Sequence, residues 1–140
     1  MKVYFAGSIR GGREDRQKYL DLIKFTSTLS EVLTEHIGSP SIGNDGESTL
    51  DDLTIYQRDM EWLESADALI AEVTTPSLGV GYELGVAEKL DKPILCLFDE
   101  SKNNHRLSAM ITGNSNLLTF RYQSLTQARE KIKEFLSSVF

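Results

Sequence analysis

Two carboxylates, two glycine-bearing loops and a tyrosine carry the chemical interest of this sequence. The run Gly7-Ser8-Ile9-Arg10-Gly11-Gly12-Arg13 leaves an apolar segment and leads through Glu14 and Asp15 to Arg16. Glycines let backbone approach a ligand closely, the free N–H groups of a helix start favour an anion, and three arginines add bidentate donors. A phosphate or a carboxylate suits such a loop; so does a plain turn with solvated arginines. It is not a P-loop, which ends in Gly-Lys-Ser/Thr, nor the dinucleotide Gly-x-Gly-x-x-Gly. A second loop, Thr74-Thr75-Pro76-Ser77-Leu78-Gly79-Val80-Gly81, offers Ser77 and its glycines to the same anion and runs into Tyr82-Glu83-Leu84-Gly85.

Glu83 is expected in the first turn of the helix that follows, where the dipole keeps a carboxylate ionised. An ionised carboxylate at a ligand-binding edge is what a covalent nucleophile needs. Asp59 is the second candidate. Leu53, Tyr56, Met60 and Leu63 fall on one stripe at about 100° per residue, and Asp59 stands about 40° from Leu63. An aspartate leaning into an apolar side must find a partner or take up a proton, and a raised pKa would make it a general acid. Tyr4, in the opening apolar run, either points toward the same place or packs in the core.

Other chemistries find little support. His36 and His105 lie far apart, and Cys96 is the one cysteine, so no zinc spacing appears. Cys96 sits within Ile94-Leu95-Cys96-Leu97-Phe98 and reads as a buried, inert thiol of a reducing compartment. Ser8, Ser77 and Ser108 lack the Gly-x-Ser-x-Gly elbow of a serine hydrolase. No metal or cofactor is expected.

The elements that must position these residues follow from periodicity. Strands are expected over 2–6, 31–36, 67–73, 93–98 and 117–122. Helices are expected from a cap at Asp15 through Tyr19, Leu22, Ile23, Phe25 and Leu29, over 51–65 behind a cap at Ser48 or Thr49, over 82–90, in one turn at 107–111, and over 125–139. Residues 37–50 and 99–106 read as loops. Strands alternating with helices imply an α/β fold with a five-stranded parallel sheet and helices on both faces. The continuously apolar runs at 68–71 and 94–98 suit strands covered on both sides. Five strands favour the flavodoxin-like, Rossmann-like order 2-1-3-4-5, in which ligands bind beyond the carboxyl ends of strands one and three. The loops after Ala6 and Val73 are therefore the ones that matter.

The 140 residues suit one domain, covering 1–140, with a composition of 40% apolar and 26% charged residues. Lys and Arg total 15 against 21 for Asp and Glu, a net charge of −6 that argues against binding a nucleic-acid polymer. No run approaches the ~20 apolar residues of a membrane span, and the opening apolar run is too short for a signal peptide. The expectation is a cytoplasmic protein, with a nuclear location open.

Several segments together resemble the 2'-deoxynucleoside 5'-phosphate N-hydrolases of the nucleoside 2-deoxyribosyltransferase superfamily. They are the run from Tyr4 to Arg16, Asp59-Met60-Glu61-Trp62-Leu63, Ala71-Glu72-Val73-Thr74, the run from Pro76 to Gly85, Ile94 to Phe98, and Leu107-Ser108-Ala109-Met110-Ile111. The resemblance implies hydrolysis of the N-glycosidic bond of a deoxynucleoside monophosphate, releasing free base and 2-deoxyribose 5-phosphate. It assigns Glu83 as nucleophile through a glycosyl-enzyme, Asp59 as the acid assisting base departure, and Tyr4 as the residue that tunes Glu83. Gly7, Ser8, Ile9, Arg10, Gly11, Gly12 and Arg13 would hold sugar and phosphate with Ser77 and Gly79. Ser108, Ala109 and Met110 would complete the site of a neighbouring subunit in a homodimer.

The residues themselves agree that two carboxylates in different settings can divide nucleophile and acid roles. They leave alternatives open. A deoxyribosyltransferase would replace water by a second base, although a nucleoside brings no phosphate for the arginine-rich loop. A ribonucleotide N-glycosidase acting on cytidine monophosphate is a sister activity. A non-catalytic nucleotide-binding module would need neither Glu83 nor Asp59.

Overall fold

The computed structural model describes residues 1–8, 13–34, 50–101 and 106–140. Within them the chain forms β1 (Lys2–Gly7), α1 (Arg13–Ser27), β2 (Glu31–Leu33), α2 (Asp52–Ser65), β3 (Ala68–Glu72), α3 (Leu78–Lys89), β4 (Ile94–Asp99), α4 (Ala109–Thr112), β5 (Leu118–Tyr122) and α5 (Leu125–Val139). The sheet has five strands in the order β2-β1-β3-β4-β5, and every neighbouring pair is parallel. This is the expected 2-1-3-4-5 order. No helix among the described residues is long and apolar enough to cross a membrane.

Alternation along the strands divides the core into two clusters. From β1, Val3 and Phe5 join Ile70 of β3 and meet Tyr19, Leu22 and Ile23 of α1 and Ile132, Phe135 and Leu136 of α5. Tyr4 and Ala6 join Leu69 and Ala71 on the other face and meet Leu63 of α2 and Val80, Leu84 and Ala87 of α3. Side chains in a strand alternate between faces, so neighbouring residues of β1 serve different halves of the molecule. Cys96 is fully buried on the α2/α3 face, and burial pushes its thiol up to about 12, which makes it the inert thiol expected.

Several boundaries differ from the sequence expectation. α1 starts at Arg13, so Asp15 is its third residue and not its cap, and the helix ends at Ser27 with Thr28 and Leu29 in a turn. β2 is only Glu31–Leu33. His36, Ser48, Thr49, His105 and most of the 37–50 loop lie outside the described residues. The α2 cap is Asp51, whose carboxylate accepts from Thr54 N at 2.8 Å.

The largest difference is α3. It starts at Leu78, four residues before the expected Tyr82, because Ser77 caps it by accepting from Val80 N at 3.3 Å. Gly79 and Gly81 are poor helix formers and made this stretch read as loop, but a good cap and the burial of Val80 and Leu84 outweigh a penalty of about 1 kcal/mol per glycine.

Candidate active site

The carboxyl ends of β1 and β3 form the seam of the site. Tyr4 is 1% exposed and packs within the cluster that joins α2 and α3 to the sheet. On α2, Leu63 is fully buried in that cluster, and Asp59 lies one turn before it, buried at 8%. On α3, Glu83 sits between Val80 and Leu84 on the inward face and is also 8% exposed. Both helices run back against the strands, so one turn toward the start of each helix is one turn toward the carboxyl edge of the sheet. Tyr4, Asp59 and Glu83 thus lie on one side of the sheet, on three elements. The hydroxyls of Tyr56 and Tyr82 tie the outer sides of the two helices, 3.4 Å apart.

One expectation about these carboxylates is corrected, and for Asp59 one of two expected outcomes is found. Glu83 is the sixth residue of α3, in its second turn, where the dipole effect of the first turn has faded. It is buried instead, on the inward side of α3. Asp59 has found a partner: the Arg58 side chain places Nε at 3.0 Å and Nη2 at 2.9 Å from Asp59 Oδ1. Arg58 lies over the ring of Trp62, one turn on, at 4.5 Å. A guanidinium stacked on an aromatic face and forked to one carboxylate oxygen is held in place from both sides. The stripe predicted for α2 is only half real, since Leu53 and Tyr56 are 64% and 49% exposed.

The first loop is seen at its ends. Ile9, Arg10, Gly11 and Gly12 lie outside the described residues, and Arg13 opens α1. Ser8 is buried, and its N–H donates to Tyr19 Oη at 2.9 Å. That N–H is therefore engaged within the protein. Gly7 serves packing: a Cβ there would stand 2.8 Å from Tyr19 Cε1. The second loop is set by the cap of α3. A hydroxyl that accepts one bond can still donate its own proton, so Ser77 keeps a donor beside the exposed Gly79 at the start of the helix.

Ser108, Ala109 and Met110 do not join Glu83 within this chain. All three are exposed, Met110 at 82%, and the Ser108 hydroxyl caps the short α4 at Met110 N. Ser108 and Met110 line a cleft of about 700 Å³ together with Ser77, Leu78, Gly81, Gly85 and Glu88. Gly81, Gly85 and Glu88 lie about 140–160° around α3 from Glu83. These three cleft residues therefore stand on the flank of α3 opposite the candidate nucleophile.

A second set of buried charges, with no periodic signal in the sequence, lies across the sheet. Glu72, at the end of β3, is fully buried. Its Oε1 accepts from Thr74 N at 2.7 Å, and its Oε2 accepts from the Tyr122 hydroxyl and lies 3.5 Å from Lys18 Nζ. Lys18 also faces Asp15 at 3.6 Å and Asp99 at 3.5 Å. Burial pushes the Glu72 carboxyl up, and Lys18 with the hydrogen bonds pulls it back. Glu72 belongs to the Ala71-Glu72-Val73-Thr74 segment, but its spacing to Lys18 carries no periodic signal.

Comparison with known proteins places the chain. A nucleoside 2-deoxyribosyltransferase family description matches residues 3–121. The Tetraodon nigroviridis protein named 5-hydroxymethyl-dUMP N-hydrolase is 46% identical over 141 residues, spanning 100% of this chain and 97% of its own length. The Mus musculus protein of the same name is 45% identical over 139 residues, spanning 99% of this chain and 79% of its own length. Among solved structures, the Clostridium botulinum CMP N-glycosidase has a TM-score of 0.68 at 18% identity and covers 96% of this chain and 99% of its own. The 2-deoxyribosyltransferase of Bacillus psychrosaccharolyticus has a TM-score of 0.63 at 17% identity, covering 92% and 90%. The two structures share the fold, and the family match at residues 3–121 spans Tyr4, Asp59 and Glu83. The chain belongs to the nucleoside 2-deoxyribosyltransferase family.

Proposed function

We propose that this protein hydrolyses the N-glycosidic bond of 2'-deoxynucleoside 5'-monophosphates to free base and 2-deoxyribose 5-phosphate. The observation that carries the reading is the burial of Glu83 and Asp59 on facing helices above Tyr4, at the edge where a parallel sheet of this order binds ligands. Relatives named 5-hydroxymethyl-dUMP N-hydrolase make 5-hydroxymethyl-dUMP the first substrate to try.

In this mechanism Glu83 attacks the anomeric carbon as the C–N bond breaks, giving a glycosyl ester of Glu83 and the departing base. Asp59, its Oδ1 held by Arg58, gives a proton to the base nitrogen as the bond breaks. Water then attacks the same carbon, its proton returns to Asp59, and the glutamate is regenerated. A carboxylate beside an oxocarbenium-like transition state stabilises its positive charge. Tyr4, packed under both helices, orients Glu83. The phosphate lies between the first loop and the Ser77–Gly79 start of α3, remote from the broken bond, where its binding energy positions the sugar.

The active unit in this proposal is a homodimer in which Ser108, Ala109 and Met110 reach the neighbouring site. Its support is the outer face of α3: Leu78 is 97% and Tyr82 56% exposed, and nothing lies within 4 Å of a Cβ built at Gly81 or Gly85. Three exposed glycines in a helix cost stability that close approach of another surface recovers. Leu78→Glu should make activity per subunit fall on dilution where the wild type holds constant.

The direct test is release of free base, followed by chromatography, from each deoxynucleoside monophosphate, the matching ribonucleotides and the unphosphorylated nucleosides. Release from deoxynucleotides alone, abolished by Glu83→Ala, establishes the hydrolase. Exchange of bases between nucleosides would move the protein to the transferases, release from ribonucleotides to the sister activity, and binding without release to a non-catalytic module.

A further inference from the structure

The face of the sheet opposite Glu83 carries charges that the proposed reaction does not use. Buried ion pairs are poor stabilisers, because apolar side chains of similar volume often do as well or better. What this cluster does is hold backbone. Glu72 Oε1 accepts from Thr74 N, the first peptide group but one beyond β3. Asp99 N donates to Thr74 Oγ1 at 2.8 Å, and the Thr75 hydroxyl donates to Asp15 Oδ2 at 3.2 Å. Thr74 and Thr75 lead directly to Ser77, the cap of α3. On the other side, Tyr19 Oη receives the Ser8 N–H at 2.9 Å and lies 3.5 Å from the Glu72 carbonyl oxygen. Lys18 Nζ stands between Asp15, Glu72 and Asp99, and Tyr122 closes the set from β5.

The start of the second loop is thus fastened to the buried Glu72 carboxylate, while Ser8 N–H, just beyond β1, is tied through Tyr19 to the Glu72 main-chain carbonyl. We infer that Glu72 is a positioning residue: through Thr74 and Lys18 its carboxylate fixes the Thr74–Ser77 segment and the start of α3 against α1, and so presets the end of the site that takes the 5'-phosphate. The inference rests on the function proposed above. Glu72 touches no reacting atom, so its loss acts on how the phosphate end is held and not on the bond that breaks. Gly7 belongs to the same device, since only a residue without a Cβ admits the Tyr19 ring to Ser8.

The test is Glu72→Gln, whose amide oxygen can still accept from Thr74 N while the charge that holds Lys18 is gone. Loss of one charge-assisted contact behind the loops should raise KM for a deoxynucleoside monophosphate about tenfold and leave kcat within about twofold. The inhibition constants of 2-deoxyribose 5-phosphate and of inorganic phosphate should rise by the same factor. Tyr122→Phe, which removes one donor and keeps the ring, should shift both in the same direction by about threefold, and it carries the test should Glu72→Gln fail to fold. Ile132→Val, in the α5 core, is the control: it lowers Tm and leaves KM unchanged. Folded variants with wild-type KM and wild-type phosphate inhibition overturn the inference, as does a loss confined to kcat. A wild type that binds the monophosphate without cleaving it defeats the proposed function alone; the calorimetric Kd of the same variants then decides this inference, an unchanged Kd overturning it. A wild type that neither cleaves nor binds defeats both.

Discussion

The carboxyl edge of the sheet holds two groups of buried acids, one on each face, and they are built on opposite plans. On the α1/α5 face, Glu72, Asp99 and Asp15 surround Lys18, and their oxygens meet hydroxyls and peptide N–H groups of the protein itself. On the α2/α3 face, Glu83 and Asp59 stand on separate helices, and the one cation paired with Asp59 in the described geometry, Arg58, comes from the adjacent position on the same helix. The first group is cross-linked between α1, β3, β4 and β5. The second is arranged around the space between α2 and α3. The difference teaches that burial of a carboxylate is not by itself a sign of catalysis. Glu72 is more deeply buried than Glu83, and its bonds point inward to backbone.

Substitutions should separate the two groups. The largest effect is expected from Asp59→Asn, which should lower the rate of base release by about 10²–10⁴-fold with little change in Tm, since general-acid assistance is worth that much and α2 keeps its packing. The loss should be smaller for a deoxynucleotide whose base leaves readily without a proton; an equal loss for all bases would place Asp59 in binding instead. The opposite signature is expected from Lys18→Met. Removing the cation from a buried cluster should destabilise the fold by about 3 kcal/mol, measured by urea unfolding at pH 8.

A finer contrast comes from pH. Burial raises the Glu72 carboxyl above its ordinary 4.5, with Lys18, Tyr122 and Thr74 opposing the shift and Tyr19, Asp15 and Asp99 near it. A carboxyl raised by folding favours the folded state while protonated. Its contribution is complete below the unfolded value and is lost as pH rises through the folded one. Wild-type Tm should therefore fall relative to that of Glu72→Gln as pH is raised from about 4.5 toward neutrality. A gap that stays constant across that range would show that Glu72 titrates as an ordinary carboxyl.

Much of the fold was legible in the sequence because parallel strands covered on both sides are written as unbroken apolar runs. Ala68-Leu69-Ile70-Ala71 and Ile94-Leu95-Cys96-Leu97-Phe98 gave strands β3 and β4, and their alternation with helices gave the order of the sheet. The inward lean of Asp59 was legible from its angle to Leu63. The start of α3 was not, because Gly79 and Gly81 speak for a turn while the cap at Ser77 and the burial of Val80 speak for a helix, and only packing decides between them. The pairing of Lys18 with Glu72 and Asp99 was also hidden. It joins α1, β3 and β4, and no local pattern records which distant side chains a parallel sheet will bring to one end.

The register of the two central strands also bears on how the molecule assembles. Val3 of β1 lies beside Ala68 of β3, and Lys2 N–H donates to Asp67 across 65 residues, while β2, nearer in sequence, is placed at the outside. Closing so long a loop before its contacts are gained makes refolding slow compared with that of a helical bundle. The site lies on the seam that this closure creates. Catalytic competence therefore returns only once the β1–β3 pairing has closed.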